Sequence, residues 1–187
     1  MLPPLKPHRA LHSRLVRLSR SLSRKKKGSS NRAKAKTKLA KLHKRIADIR
    51  VDALHKLTHR LATEFDTIAI EDLNVKGMVR NRHLARSVSD AGFGEFRRQL
   101  EYKAAWAGRT YIEIGRFFPS TKRCSCCGFV KENMPLDVRS WQCPECKVTH
   151  DRDVNAARNI LAAGLAVLAF GDNVSDNGIS VSLSSCR

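Results

Sequence analysis

Apolar residues recur every three or four positions across the first third of the chain, which predicts two amphipathic helices. The first covers residues 9–24 and the second about 32–64, with a Gly- and Ser-containing breaker at 25–31 between them. Because both segments are rich in Lys and Arg, we expect a basic helical hairpin. The first apolar stripe consists of Leu11, Leu15, Leu18 and Leu22, and the second of Leu39, Leu42, Ile46, Ile49, Ala53, Leu57 and Leu61.

Shorter apolar segments follow. Runs rich in β-branched residues predict strands at Thr67–Leu73 and Thr110–Phe117. Helical spacing predicts helices at 94–107 and 153–170, and residues 74–92 are expected to form a loop. The order helix, strand, helix, strand, helix is typical of an α/β fold. The stripes of the two later helices comprise Phe93, Phe96, Leu100, Ala104 and Ala107, and Val154, Ala157, Ile160, Leu161, Leu165 and Leu168.

Positive charge is concentrated in residues 1–60. This segment holds 19 of the 36 Lys and Arg residues and only two acids, a formal charge of +17 within a total of +19. Such asymmetry indicates a polyanionic partner, and nucleic acid is the leading candidate. A membrane surface is less favoured because the basic segment lacks Trp and Phe. A solvated charged face is the plain alternative.

The chain shows no signal for secretion or for insertion into a membrane. No uninterrupted apolar run reaches the ~18–20 residues of a membrane span, and no apolar run with a cleavage site follows Met1. We therefore expect a cytoplasmic protein with no membrane partner and with reduced cysteines. The Ser-, Asn- and Gly-rich tail at 171–187 is expected to be flexible, and Cys186 within it to be a free thiol.

Four cysteines have the spacing of a zinc ribbon. Cys124 and Cys127 form one CxxC pair, and Cys143 and Cys146 form a second pair fifteen residues later. Two such knuckles close a tetrahedral S₄ site, which is structural because protein fills every position. Cys126 is an extra thiol that could compete with Cys127, and coincidental cysteines are the alternative to a metal site.

Basic and aromatic residues flank the cysteine pairs. Lys122, Arg123, Arg139 and Trp141 could contact nucleic acid through charge and stacking. Trp141 could equally form the small core of the ribbon.

Acidic residues at two positions could hold a divalent metal. Glu71 ends an apolar strand, where it either ligates a metal or is simply solvated, and Asp72 should point the opposite way. Asp151 and Asp153 open the last helix, where an acid can cap backbone N–H groups instead. We assign capping to Asp151 and the functional role to Asp153, and the reverse assignment remains open on physical grounds.

Five segments together resemble the TnpB family, the OrfB proteins of bacterial insertion sequences, which are related to the type V CRISPR effector nucleases. The resemblance runs from about Leu11 to about Phe170. The segments are Ile70–Met78, Asp90–Phe96, Cys124–Gly128, Cys143–Cys146 and Asp151–Ile160.

The resemblance implies a RuvC-like, RNase H-type nuclease that cleaves DNA under the direction of a guide RNA. By this resemblance Glu71 and Asp153 match the second and third catalytic acids, which hold Mg²⁺ or Mn²⁺, and the four cysteines match structural zinc ligands. DNA and guide RNA are the expected partners, and the pattern specifies no oligomeric state. The residues expected to contact nucleic acid are Arg20, Arg24, Lys25, Lys26, Lys27, Arg32, Lys34, Lys38, Lys122 and Arg123.

The resemblance also suggests a division into domains. A basic helical hairpin would occupy residues 1–66, and a zinc ribbon would occupy 120–146. The partial nuclease core would comprise 67–119 and 147–170.

One family motif has no counterpart in the sequence. Members of the family carry the first catalytic Asp after an apolar strand, in a Gly-Ile-Asp-Leu-Gly-like context. Ahead of Glu71 the only acids are Asp48, Asp52, Glu64 and Asp66, and none follows an apolar strand.

We therefore expect an incomplete nuclease domain, the C-terminal part of a longer enzyme, which binds DNA and RNA but does not cleave alone. The alternatives are an active nuclease whose start is misassigned and a nuclease-dead, RNA-guided DNA-binding protein. A zinc-ribbon protein of the translation machinery would explain the charge and the cysteines but not Glu71 and Asp153.

Overall fold

The described residues of this computed structural model, 7–135 and 137–170, divide into two packing units. The first comprises the chain up to Asp66 together with Asn74–Arg109, and the second comprises Thr67–Leu73 and the chain from Thr110 onward. Residues 74–109, which the sequence grouped with the nuclease core, thus belong with the basic helices. The predicted flexible tail at 171–187, including Cys186, lies outside the described residues.

The basic hairpin of the first unit is confirmed. Helix α1 spans Pro7–Ser23 and helix α2 spans Ser30–Glu64, and the two pack together. Ser29 caps α2 because its hydroxyl accepts the Arg32 N–H at 3.2 Å. The Arg32 guanidinium donates to the carbonyls of Leu22 and Lys25, both at 3.0 Å, and so fastens the connection between the helices.

Residues 74–92 form two short helices, so the prediction of a loop was wrong. Helix α3 spans Val75–Arg80 and is capped by Asn74, whose side chain accepts the Gly77 N–H at 3.0 Å. Helix α4 spans Ala85–Ala91 and ends at Gly92, whose left-handed φ of 68° turns the chain into the next helix. Helices of six and seven residues are too short to display an apolar stripe, which is why periodicity missed them.

Helix α5 spans Phe93–Trp106 and packs against α2 through buried polar groups as well as the fully buried Leu100. The Thr58 hydroxyl donates to Gln99 at 3.1 Å and accepts from Lys103 Nζ at 2.8 Å. Burial lowers the pKa of Lys103. In the second half of α2 the buried positions are Leu54, Thr58 and Ala62, one residue after the predicted Ala53, Leu57 and Leu61, which are half-buried. The predicted Ile49 is exposed.

A buried carboxylate fixes the start of α1. Asp90 of α4 accepts the N–H groups of His8 and Arg9 at 3.0 and 3.3 Å, and the Arg50 guanidinium approaches the same carboxylate at 3.4 Å. Asp90 is 5% exposed, so these partners offset the cost of burying its charge. The side chain thus caps a helix that lies far from it in sequence.

The second unit contains a parallel pair of strands. Strand β1 spans Thr67–Glu71 and strand β2 spans Thr110–Ile114, with Glu71 opposite Ile114 at one end. The final helix of the described chain, Arg152–Phe170, packs on both strands, with a core of Ile112, Ile114 and Ala163. Gly164 allows the close approach, since a Cβ there would lie 2.9 Å from the Cβ of Ala69.

A small antiparallel hairpin completes the second unit. Strand β3 spans Ser140–Gln142 and pairs with β4, Thr149–Asp151, so that Trp141 lies opposite His150. The ribbon hairpin therefore extends beyond residue 146, into the first residues of the predicted core segment 147–170. Helix α6, the Arg152–Phe170 helix, follows β4 directly.

The predicted apolar stripe of α6 is not its buried face. The buried residues are Asn155, Asn159, Ala163, Gly164 and Ala166, whereas Val154, Leu161, Leu165 and Leu168 are exposed. The asparagines are buried because they hydrogen-bond to a neighbouring loop, a preference that apolar periodicity does not report. Among the described residues, α6 is the one helix long and apolar enough to cross a membrane, a test that packed helices of other proteins also pass.

Candidate metal centre and nuclease carboxylates

The four predicted cysteines converge in the second unit. The Sγ atoms of Cys124 and Cys146 lie 3.6 Å apart, as do those of Cys127 and Cys143, and all four lie within 4.8 Å of one another. Within residues 7–135 and 137–170, this is the one group of three or more Cys, His, Asp or Glu side chains placed closely enough to share a metal ion. Cys126 is not a member, so the predicted choice of Cys124 and Cys127 agrees with the geometry.

Each cysteine pair lies in the same type of tight turn. After the first pair, Gly128 N–H donates to the Cys124 carbonyl at 2.9 Å; after the second, Lys147 N–H donates to the Cys143 carbonyl at 3.1 Å. Both turns require a left-handed residue, with φ of 81° at Gly128 and 60° at Lys147. The repeated turn presents two thiols to one point from each side.

The sulfur arrangement fits a tetrahedral zinc ion. Zinc–sulfur bonds of about 2.3 Å in a tetrahedron place the sulfurs about 3.8 Å apart, close to the observed separations. Burial raises the pKa of the Cys124 thiol to about 12 and also raises that of Cys127, whereas a hydrogen bond from the Val148 backbone lowers that of Cys146 to about 7. A divalent cation would therefore have to stabilise buried thiolates that are unfavourable alone.

His150 and Trp141 line the cysteine cluster. His150 Nε2 lies 3.0 Å from Cys124 Sγ, and the Trp141 ring packs 5.1 Å from the imidazole. Trp141 is buried with Cys124 and Cys143, which supports the ribbon-core interpretation over stacking on bases. His150 was not predicted from the sequence, because a single histidine outside the CxxC spacing carries no motif.

Glu71 lies at the C-terminal end of β1 and is half-buried. Burial raises the pKa of its carboxyl, and a hydrogen bond from the Ser120 side chain partly opposes that rise. The neighbouring Asp72 pairs with Arg116 Nη2 at 2.6 Å, so the two adjacent acids have different partners, as strand alternation predicts.

Asp151 is the cap of α6. Its Oδ1 accepts the N–H groups of Asp153 and Val154 at 3.0 and 2.9 Å. Asp153 is exposed, with Arg152 Nε at 3.8 Å and Arg139 Nη1 at 4.0 Å from its carboxylate. The predicted capping role of Asp151 is confirmed. The catalytic roles of Glu71 and Asp153 stay predictions, since within the described residues neither acid belongs to a group of three or more potential metal ligands.

The residues predicted to contact nucleic acid differ in solvent exposure and in whether they already hydrogen-bond within the protein. Arg32 is engaged in the hairpin connection, and Lys122 donates to the Glu132 carbonyl at 2.8 Å. Lys25 and Arg123 are half-buried. The exposed members of the set are Arg20, Arg24, Lys26, Lys27, Lys34 and Lys38.

Two protein-family models match separate segments of the chain. The model of the probable transposase family OrfB_IS605 matches residues 2–82, and the Cas12f1-like TNB domain model matches residues 93–160, which include all four cysteines. The chain belongs to the TnpB/OrfB family. The family predicted from the sequence motifs is therefore confirmed.

Two bacterial relatives are named "Putative RNA-guided DNA endonuclease" and "Putative RNA-guided DNA endonuclease InsQ". The protein from Streptomyces pristinaespiralis is 53% identical over 169 residues, which is 90% of this chain and 42% of the relative. The protein from Escherichia coli K12 is 39% identical over 186 residues, covering 91% of this chain and 46% of the relative. The chain thus spans less than half the length of these TnpB-type relatives.

A solved structure shares the fold. The comparison with a chain of the Cas12f1–sgRNA–target DNA complex gives a TM-score of 0.55 at 18% identity, over 81% of this chain and 40% of the other. At that identity the likeness concerns the fold, and it supports the predicted mixed α/β class.

Proposed function

We propose that this TnpB-type chain is the C-terminal part of a transposon-encoded, RNA-guided DNA endonuclease with a RuvC-like core, and that by itself it binds nucleic acid without cutting it. The observation that carries the proposal is the 53% identity, across 90% of the chain, to a relative named for that activity. DNA and guide RNA would be the partners of the whole enzyme.

In this proposal the four cysteines hold a structural zinc ion, which stabilises the fold and takes no part in the reaction. Thiolates fill every position of a tetrahedral site, so no place remains for water or substrate. Glu71 and Asp153 would supply hard oxygen ligands for Mg²⁺ or Mn²⁺, the ions that activate water and stabilise the leaving oxygen in such nucleases. Burial of Glu71 beside Ser120 keeps a restrained carboxylate at the end of β1.

The absence of cleavage follows from the number of carboxylates. Two-metal sites need several bridging oxygens, and within the described residues neither Glu71 nor Asp153 belongs to a group of three or more potential metal ligands. We expect the chain to bind catalytic metal weakly.

Binding to nucleic acid would rest on the cationic hairpin. Residues 1–60 carry a formal charge of +17, and six of the predicted contact residues on this segment are exposed. Contacts of this kind are made with phosphates, so they favour affinity over sequence readout.

The test uses the purified 187-residue chain with its co-purified RNA, plasmid DNA and either Mg²⁺ or Mn²⁺. We expect a mobility shift with intact DNA. Glu71→Ala and Asp153→Ala should leave binding unchanged, as should the control Glu132→Ala at an exposed acid of the ribbon. Cleavage by the parent chain that disappears in Glu71→Ala and Asp153→Ala but persists in Glu132→Ala would overturn the proposed inactivity.

A further inference from the structure

Two buried asparagines of α6 hold the loop that leads into the first cysteine knuckle. Asn155 Oδ1 accepts the Ser125 N–H at 2.9 Å, and its Nδ2 donates to the Arg123 carbonyl at 2.7 Å. Asn159 Nδ2 donates to the same carbonyl at 2.7 Å and to the Ser120 carbonyl at 2.8 Å. Both side chains are at most 4% exposed, so these hydrogen bonds replace the ones that each amide would make with water in the unfolded chain.

The other end of this loop reaches the carboxylate at the end of β1. Ser120 is 4% exposed, and its side chain hydrogen-bonds with Glu71. The Pro119 carbonyl accepts the N–H groups of Lys122 and Arg123 at 3.1 and 2.9 Å, which closes the loop into a helical turn. Residues 119–125 therefore connect Glu71, α6 and Cys124 through hydrogen bonds, of which those to α6 are buried or partly buried.

We propose that residues 119–125 act as a strut between the cysteine cluster and Glu71, with Ser120 and Asn159 as positioning residues for that carboxylate. The strut gives the zinc ribbon a second role, because metal at the cysteines fixes the first knuckle and the strut carries that restraint to the end of β1. Its meaning for catalysis rests on the proposed function of Glu71, whereas the coupling itself does not.

The strut is fastened to α6, the helix that carries Asp153 in its first turn. Asn155 and Asn159 lie one turn apart on α6, and Asp153 lies in its first turn. The same helix thereby fixes the loop that holds Glu71 and carries Asp153, the other predicted catalytic acid. Each buried amide makes two hydrogen bonds to the loop, and breaking one of them would leave a buried polar group without that partner.

The coupling can be tested without any cleavage assay. The protein is loaded with Zn²⁺ or with the larger Cd²⁺, which keeps the tetrathiolate site closed while altering its size. The side-chain carboxyl carbon of Glu71 and the backbone amide of Ser125 are then observed by NMR at fixed pH. In the parent chain we expect both signals to move when the metal is exchanged.

Point variants locate each link of the strut. In Ser120→Ala the Ser125 amide should still respond to the metal, while Glu71 should lose most of its response. Ser120→Thr, which restores the hydroxyl, should recover it. Ser125→Ala is the matched control, because only the backbone N–H of Ser125 contacts Asn155, and it should behave as the parent. Asn159→Ala should weaken the Glu71 response while the Ser125 amide, held by Asn155, still responds.

Two results would overturn the strut: a Glu71 signal that ignores metal exchange in the parent chain, or one that responds equally in Ser120→Ala. Neither depends on DNA binding or cleavage, so the strut and the proposed function can fail separately. The Ser125 amide reports that the metal site is formed in every variant, and a variant that does not fold is recognised by loss of that signal. If Ser120→Ala is the variant that does not fold, the Glu71 responses of the parent and of Asn159→Ala decide instead, and equal responses in those two would overturn the strut.

Discussion

Lys147 adopts a backbone conformation that ordinarily favours glycine. Its φ of 60° is the one positive value at a non-glycine residue within 7–135 and 137–170, and the equivalent position of the first knuckle is Gly128. The left-handed region costs a residue with a side chain about 1 kcal/mol. We predict that Lys147→Gly raises the free energy of unfolding by roughly 0.5–1 kcal/mol, offset in part by the greater freedom of glycine in the unfolded chain.

Denaturant unfolding of the zinc-loaded protein would measure this change. Lys131→Gly is the control, because Lys131 lies in the same ribbon with an ordinary φ and should gain nothing. Equal effects at the two positions would mean that the strain at Lys147 is not released by glycine.

His150 gives a second prediction at the residue scale. With its Nε2 3.0 Å from Cys124 Sγ, the imidazole can donate a hydrogen bond to the metal-bound thiolate. His150→Phe keeps a ring against Trp141 but removes the donor, so zinc affinity should fall by about tenfold. Competition with a chromophoric chelator measures the affinity, and His83→Phe at an exposed histidine is the control. Unchanged zinc affinity would assign His150 to packing alone.

The candidate site was predictable where chemistry imposes spacing. The CxxC pairs identified Cys124, Cys127, Cys143 and Cys146 directly, because a knuckle requires a fixed interval between thiols. His150, Ser120 and Asn159 escaped notice because their roles arise from tertiary contacts with residues distant in sequence.

At the scale of elements, long helices were predictable and short ones were not. Helices α1, α2, α5 and α6 begin and end within about two residues of their predicted bounds, since each repeats a helical stripe several times. Helices α3 and α4 depend on Asn74 and on the positive φ of Gly92, which are local signals that a stripe analysis passes over.

Burial within an element was harder to predict than the element itself. On α6 the apolar Leu161, Leu165 and Leu168 face solvent while Asn155 and Asn159 are buried. Hydrophobicity alone selects the wrong face there, because the asparagines gain hydrogen bonds that the leucines cannot make.

The first turn of α5 supports a prediction of pH dependence. Hydrogen bonds from Arg98 and Gln99 lower the pKa of Glu95 from 4.5 to about 2. A carboxyl with a depressed pKa in the folded state stabilises that state above its unfolded pKa, and this stability is lost as pH falls toward the folded value. Glu95→Gln should therefore be less stable than the parent at pH 7, with the difference disappearing between about pH 4.5 and pH 2.

Thermal unfolding at a series of pH values would measure the Glu95 effect. Glu101→Gln on the same helix is the control, since Glu101 is exposed and should show a smaller dependence. A stability difference that persists below pH 2 would mean that Glu95 acts through packing rather than charge.

At the scale of the whole molecule, the uneven charge predicts how binding responds to salt. Lys26, Lys34 and Lys38 are exposed and have no ion-pair partner in the described residues. Lys34 and Lys38 lie on α2, and Lys26 lies in the connection before it. Lys44, Lys56 and Arg60 also lie on α2, but each is paired with an acid one turn away. The two triads have the same formal charge, and they differ in whether that charge is already compensated.

Replacing the unpaired triad by Ser should weaken binding to duplex DNA and reduce the slope of log affinity against log salt by up to about 2.7, because each lost phosphate contact removes about 0.9. Replacing the paired triad should reduce the slope much less, because its cations already interact with neighbouring acids. Removing these cations leaves the acids unpaired, which adds repulsion toward DNA but removes few phosphate contacts. Fluorescence anisotropy across a salt series would give both slopes.

If the two triads changed the slope equally, affinity would depend on total charge rather than on a defined cationic face of the hairpin, and the proposed interface at Lys26, Lys34 and Lys38 would be wrong. A selective effect of the unpaired triad would place the phosphate contacts on these lysines.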